Sequence, residues 1–421
     1  MERQTKLSPF AIPAYRRLFT AHTTALLGSG ISTIAIALLA IEVASDNATQ
    51  VLGIAFAIKM ICYVLIAPFT SRLNTFFVPK TLLVVLDVIR ALVLISMVWI
   101  STQWQIYLAI AVISAASALF TPTYQALLPS VVENEKAYIK ALSWAQVASA
   151  IEQIGSPLAA AALLIVLSFS DLFFLNTATF LLSAMLISTT ALPLVKKTNS
   201  TSSTWWGISA YLKTPRLRAI SIAYIGIAGA SAMVIVNTAV YVQQTLGESE
   251  SVMSIVLAAS GLGAVAGALL VPTLKLMPRN IFVFGNFTMA LAIFGGSAEL
   301  NWLGLSFSWL IVGFGLGLTQ TPVGAVVRQS CHPRHRDAFF AANFTLSHAA
   351  WLFTYLLAGF LGAQSNWQNT FLIMGSLPLL AGMACLFLYP HPDEIILEHQ
   401  HGEVTHRHEF FIDESHTHWP K

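Results

Sequence analysis

A chain of 421 residues that is 56% hydrophobic and only 10% charged carries too little charge for a soluble enzyme, because soluble domains hold about 25% charged residues. The same composition excludes a disordered regulator. A net charge of +3 gives no field strong enough for a nucleic-acid binder.

Cys62, Cys331 and Cys385 are far apart with no CxxC pair, which supports neither a disulfide framework nor a cysteine zinc site. A hydrocarbon core of about 30 Å takes about 20 helical residues to cross, and in lipid only helices or closed barrels satisfy their own backbone. The apolar runs are long and continuous rather than alternating, so helices are expected. In chain order they fall at 17–44, 51–70, 80–100, 104–128, 138–167, 171–194, 217–245, 252–273, 280–299, 303–327, 337–362 and 368–389. The first follows a basic start at Arg3, Lys6, Arg16 and Arg17 and is longer than a signal core, so it reads as an uncleaved span. Twelve spans predict an all-α membrane protein: a six-helix bundle at 1–195, a cytoplasmic linker at 196–216, a second bundle at 217–390 and a cytoplasmic histidine-rich tail at 391–421. The linker contains KKTNSTSSTWWGISAYL, where Ser, Thr, Asn and Gly interrupt the apolar pattern.

Loop charge sets the orientation. With the N-terminus inside, the inner loops hold Arg72, Lys80, Lys136, Lys140, Lys196, Lys197, Lys213, Arg216, Arg218, Lys275, Arg279, Arg328, Arg334 and Arg336. The outer loops hold Asp46, Asp171, Glu248, Glu250 and Glu299 and neither Lys nor Arg. This positive-inside bias places both termini in the cytoplasm of a multi-pass protein of the bacterial inner membrane.

The halves repeat. TPTYQALLPSVV from Thr121 and TPVGAVVRQSCH from Thr321 each close the fourth span of their half. Each is followed by a short charged loop, then by a span with Ser143-Trp144 or Asn343-Phe344. Duplication of this kind underlies many transporters, with the substrate site between the halves near the midplane.

These residues resemble the major facilitator superfamily, most closely its twelve-span efflux branch of macrolide and siderophore exporters. The likeness is carried by Tyr15-Arg16-Arg17-Leu18-Phe19, by the segment from Asp87 to Leu92, and by Phe120-Thr121-Pro122 with Ala126-Leu127-Leu128-Pro129. Gly155-Ser156-Pro157 is similar to the family's antiporter motif, and 207–215 to the helix leading into the second half. The resemblance spans 8–390 and implies alternating access. Two departures weaken a direct transfer of proton coupling. The loop from Ala67 to Asn74 keeps Arg72 but lacks the family's acid and glycines, and Ser29 replaces the acid of the first-span glycine motif within Gly28-Ser29-Gly30.

Ionisable residues inside a span cost about 2.5–3.5 kcal/mol each on insertion scales and so face a cavity or a partner. Asp87 and Arg90, three residues apart, share a helical face and with Arg72 are expected to form a structural or gating ion pair. Lys59 and Glu152 fall near the middles of spans two and five. Alone, each would lose its charge through desolvation; facing each other, both keep it. Glu152 is the expected proton carrier, with Lys59 tuning it or binding an anionic substrate group. His348, one turn before Trp351, is an expected titratable or hydrogen-bonding contact. Asn237 and Tyr241 in span seven and Gln320 in span ten are uncharged candidates, and His22 is an interfacial one.

Gly261, Gly263 and Gly267, with Gly313, Gly315 and Gly317, lie in apolar helices and read as close helix packing rather than phosphate loops. No phosphate-cradling loop with a following Lys-Ser or Lys-Thr is present, so ATP is not the expected energy source. Seven of the eleven histidines fall in 391–421, and His399, His401, His406, His408, His416 and His418 form three His-x-His pairs. Alternate residues of an extended chain point the same way, and imidazole suits nickel, copper, zinc and iron. A divalent ion (Ni, Co, Zn or Fe) is therefore expected on the tail, with Glu403, Glu409, Asp413 and Glu414 adding carboxylates. A solvated, unstructured tail is the alternative. Some nickel-resistance members of the superfamily resemble this histidine-rich C-terminus. Phe410, Phe411, Ile412 and Trp419 are expected to dock it.

The expected protein is thus no enzyme and requires no cofactor. Its partners are the lipid bilayer, protons and a small-molecule or metal substrate, with neither nucleic acid nor ATP. First among the functions stands a proton-coupled exporter of a drug- or siderophore-like molecule. The alternatives are a transporter of a divalent transition metal or its chelate with a sensing tail, an importer of a metal–siderophore complex, and a non-transporting receptor or scaffold.

Overall fold

Local chemistry fixes where the helices begin. A proline at the first helical position costs no hydrogen bond, because that N–H has no helical partner. Prolines open α1 (Pro13–Ala44), α3 (Pro79–Ser96), α7 (Pro215–Ala232) and α9 (Pro278–Gly295). Side chains cap others. Gln105 accepts from the Thr102 N–H (3.1 Å) at the start of α4 (Gln103–Val131), and Asp171 accepts from the Ser168 N–H (2.9 Å) at the start of α5 (Phe169–Ser188). Asn301 and Asn366 accept from backbone N–H groups at 3.0 Å to start α10 (Trp302–Gln320) and α13 (Trp367–Leu388). The remaining elements are α2 (Ala48–Ile66), α6 (Thr204–Lys213), α8 (Glu250–Leu270), α11 (Val323–Gln329), α12 (Arg336–Ala363), and an antiparallel hairpin of β1 (Ile396–His401) and β2 (Val404–Glu409).

The computed structural model describes residues 8–66, 76–134, 137–138, 140–141, 144–145, 148, 152, 156, 159–160, 162–192, 204–274, 276–332, 335–364, 366–391, 396–401, 404–412, 416 and 419. Arg72, with the rest of 67–75, and Glu403, Asp413, Glu414 and His418 lie outside them. Among the described residues, eleven helices are long and apolar enough to cross a membrane. Every described position from 137 to 163, where the fifth span is expected, is also helical. The protein is an all-α, multi-pass membrane fold, and the hairpin is its only described strand pair.

Two compact units emerge, Met1–Thr198 with Ala239–Ala258, and Asn199–Thr238 with Ala259–Lys421. In the first, α1 packs on α5, α2 on α4, and α3 on both α4 and α5. Its core joins Tyr15, Leu18, Leu83, Phe120, Tyr124 and Ile187, all buried. In the second, α13 packs on α7 and α9, α9 on α10, and α12 on α6 and α7.

The expected tenth span, 303–327, falls within the single apolar stretch Trp302–Gln329, whose helix is interrupted by a turn. It breaks at Thr321-Pro322 into α10 and α11, because proline lacks the N–H that would continue the helix. The matching Pro122 lies inside an unbroken α4, so the sequence repeat does not carry over to this turn. Beyond α7, the expected seventh span passes through two π-helical segments, Met233–Asn237 and Tyr241–Thr245.

The glycines of α8 and α10 form a backbone seam. A Cβ on Gly263 or Gly267 would collide with the backbone at Leu310 or Phe314, and one on Gly313 or Gly317 with the backbone at Ser260 or Ala264. Small residues let helices approach this closely in lipid. Gly317→Val should cost at least the ~1–3 kcal/mol typical of overpacking, since backbone cannot swing aside. Gly324→Ala meets nothing within 4 Å and should be neutral. Thermal unfolding of the two variants in detergent checks this.

Candidate functional site

In the first unit, α1 is the wall on which the polar groups assemble. Gly28 and Gly30 carry no Cβ where one would collide with Asn176 and Thr179 of α5 or with Ser156 beside Glu152. The glycine motif therefore brings α1 into contact with both neighbours, and Ser156 Oγ donates to the Leu27 carbonyl (3.1 Å). The half-buried Glu152 sits against this point, its Cγ within 3.3 Å of where a Cβ on Gly30 would lie.

Next to it is a cavity of about 70 Å³ lined by Ser29, Ser32, Thr33, Lys59, Ser114 and Asn176, among others. Asn176 Nδ2 donates to Ser32 Oγ, and Thr179 Oγ1 donates to Asn176 Oδ1 (2.8 Å). The Lys59 ammonium lies 5.8 Å from the Tyr63 ring centroid, a cation–π contact. Lys59 also acts electrostatically on Glu152, although the two do not close a direct ion pair. A cation thus lines a hydroxyl-rich void, and an acid from another helix of the same bundle packs against Gly30.

A second polar cluster lies among α1, α3, α4 and α5. Asp87, fully buried, pairs with Arg90 and accepts from Ser183 Oγ (2.7 Å). The Arg90 guanidinium is held between the rings of Phe120 and Phe180, at 4.2 and 4.3 Å from their centroids. His22 is not simply interfacial, for its ring stacks on Tyr124 (4.3 Å) and Phe120 (6.3 Å). Desolvating two charges is costly, and this cluster offsets it with hydrogen bonds and aromatic faces.

In the second unit, His348 stacks on Phe344 (3.8 Å), lies 5.4 Å from the Trp351 ring, and is 2.7 Å through Nδ1 from the Phe344 carbonyl. One turn earlier, Tyr211 donates to Asn343 Oδ1 (2.8 Å), and Asn343 Nδ2 donates to Tyr224 (3.4 Å). Burial and the neighbouring Tyr224 push the Tyr211 hydroxyl well above its ordinary pKa, so it remains a donor. Asn237, fully buried, ends the first π segment, where its Nδ2 faces Met233 Sδ (3.3 Å) and its Oδ1 has no partner among the described residues. Single π turns inside helices recur at functional sites. Gln320 is exposed at the last position of α10.

Several buried polar residues were absent from the sequence-derived set. Asn176, Ser183, Asn343 and the pair Trp309–Thr238, joined by an indole N–H donated at 2.7 Å, stitch helices together, while Asn286 donates to the Phe282 carbonyl of its own helix. The rule that flags intramembrane charges applies to asparagine as well, since a bare amide in lipid also demands a partner.

A bundle of lipid-length helices holding buried acid, base and amide groups is the build of a membrane carrier rather than an enzyme pocket. Residues 18–274 and 220–411 match the Major Facilitator Superfamily. The chain belongs to that family of secondary transporters. It is 23% identical over 389 residues to the uncharacterized MFS-type transporter YfiS of Bacillus subtilis (strain 168), covering 88% of this chain and 91% of that protein. The fold is shared with the nucleoside transporter NupG, at a TM-score of 0.72 and 13% identity over 89% of this chain and 99% of that one. It is also shared with a D-xylose–proton symporter, at 0.68 and 13% over 91% and 98%.

Proposed function

We propose that this transporter exports a small drug- or siderophore-like molecule across the bacterial inner membrane in exchange for protons. Glu152 carries the proton. Lys59 compensates the carboxylate when the proton leaves and meets an anionic group of the substrate when one is bound. Both termini face the cytoplasm, as the loop charges require. The observation that supports this most is that Lys59 lines the cavity formed with Ser29, Ser32 and Asn176 while Glu152, from a different helix, packs against Gly30, the residue next to Ser29. Intramembrane charges of this kind mark ion and substrate pathways. The relative named as a D-xylose–proton symporter shows that the shared fold is compatible with proton coupling. The efflux direction rests on the resemblance to the exporter branch. On this reading, Asp87–Arg90 braces the bundle, and Asn237, Gln320 and His348 belong to the substrate path of the second half.

Inverted vesicles test the direction and the substrate class. With the interior acidified, a hydroxamate siderophore or a lipophilic dye should accumulate inside, and Lys59→Met should reduce uptake of the anionic probe more than of the neutral one. Accumulation only under the opposite gradient would make the protein an importer, and no flux of any probe under either gradient would favour a non-transporting role.

A further inference from the structure

The lining of the cavity in the first unit is one-sided in charge. Hydroxyls come from Ser29, Ser32 and Thr33 on α1 and from Ser114 and Ser117 on α4, an amide from Asn176 on α5 and an ammonium from Lys59 on α2. Among the described lining residues none is Asp or Glu. Phe56, Leu94, Ile110 and Phe180 supply apolar wall, so charge here is screened less than in water. The Lys59 ammonium lies over the Tyr63 ring but closes no ion pair among the described residues. A cation in such surroundings is costly unless an anion meets it.

The hydroxyls of α1 divide by where their protons go. Ser29 donates to the Ala25 carbonyl (2.9 Å) and Thr33 to the Ser29 carbonyl (3.1 Å), so both protons are spent on the helix backbone. Ser32 differs, because its oxygen accepts from Asn176 Nδ2. The other end of that amide, Asn176 Oδ1, accepts from Thr179 Oγ1 (2.8 Å). A hydroxyl that accepts still has its own proton to give. The chain from Thr179 through Asn176 to Ser32 thus runs in one direction and ends in a donor on the wall of the void that Lys59 also lines.

We infer that this cavity seats one monoanionic oxygen head group of the substrate, of the carboxylate type, an assignment that rests on the proposed meeting of Lys59 with an anionic part of the substrate. Lys59 matches the charge, and Ser32, oriented by Asn176, donates a hydrogen bond to the head. One lysine balances one negative charge, whereas a dianion would leave charge buried without a partner. A cavity of about 70 Å³ holds a head of a few heavy atoms, while a drug-sized body takes about 300–1,000 Å³. Only the head enters. A neutral amide of the same shape brings Lys59 no counter-charge and sets its own N–H groups against the donors, so the site selects against it.

The test reads binding alone, with neither gradient nor flux, on the full-length protein in detergent at neutral pH. Acetate is the probe, with acetamide as its neutral isostere. Saturation-transfer NMR should show saturable acetate binding at least about tenfold tighter than that of acetamide or chloride, since hydrogen bonds to a charged group are worth that much. Lys59→Met should erase the preference. Ser32→Ala should weaken acetate by about tenfold and leave acetamide within about twofold. Asn176→Asp, which draws the Ser32 proton to itself, should weaken acetate further; Ser32→Ala removes a single oxygen and carries the test even if Asn176→Asp lowers stability. No saturable acetate binding, equal affinity for acetate and acetamide, acetate undiminished in Lys59→Met or Ser32→Ala, or chloride held as tightly as acetate would overturn the head-group site. Acetate bound with these preferences by a protein that moves no solute would keep the site and remove the export reading. Gradient-driven flux in a protein lacking the acetate preference would remove the site and leave export standing.

Discussion

Replacing Glu152 with glutamine should leave the protein folded and abolish gradient-driven accumulation of substrate. Glutamine keeps the shape of the side chain beside Gly30 but cannot take up and release a proton. A pH difference of one unit can sustain about tenfold accumulation for each proton exchanged, since ~1.4 kcal/mol is a factor of ten. Proteoliposomes with the native chain should approach that ratio. Those with Glu152→Gln should equilibrate substrate without concentrating it, and Glu152→Asp should recover part of the gradient response. If Glu152 only braced Lys59, the outcome would differ. The amide would leave the lysine charge uncompensated, so thermal stability would fall while coupling in the surviving protein remained.

The second large effect concerns stability. Asp87→Asn removes the carboxylate that Arg90 and Ser183 share and leaves a guanidinium buried between Phe120 and Phe180. Breaking a buried pair from one side costs about 3–5 kcal/mol. Arg90 Nε has no hydrogen-bond partner among the described residues, so the two aromatic rings are then its main compensation. Removing both charges with Asp87→Leu and Arg90→Met should recover most of the loss, because a well-packed apolar pair is close to neutral against a buried ion pair. Thermal unfolding of the two variants in detergent reads the difference. Similar destabilisation by the single and double changes would mean that the pair contributes mainly shape.

The helices were legible because crossing lipid demands long apolar runs, and those runs have no other use. Caps and opening prolines set most of their starts close to expectation. The break at Thr321-Pro322 was harder to foresee, since the same dipeptide at Thr121-Pro122 continues as helix; the sequence alone does not separate the two. Charged residues were visible as costs, which is why Lys59, Glu152, Asp87 and Arg90 stood out. Asn176 and Asn343 are each tied into a helix-to-helix hydrogen bond, which the sequence does not show because it does not fix which face of a helix an amide occupies. In the tail, ILEHQH and VTHRHE alternate with period two around Gly402-Glu403, a hairpin pattern.

The most direct test is proton movement driven by substrate alone. Proteoliposomes enclosing a pH-sensitive dye, with no gradient imposed, should report protons moving opposite to an added substrate, and Glu152→Gln should show substrate exchange with no proton signal. Substrate flux in the native protein without any accompanying proton flux, or proton flux unchanged in Glu152→Gln, would contradict the assignment of Glu152 as the coupling acid.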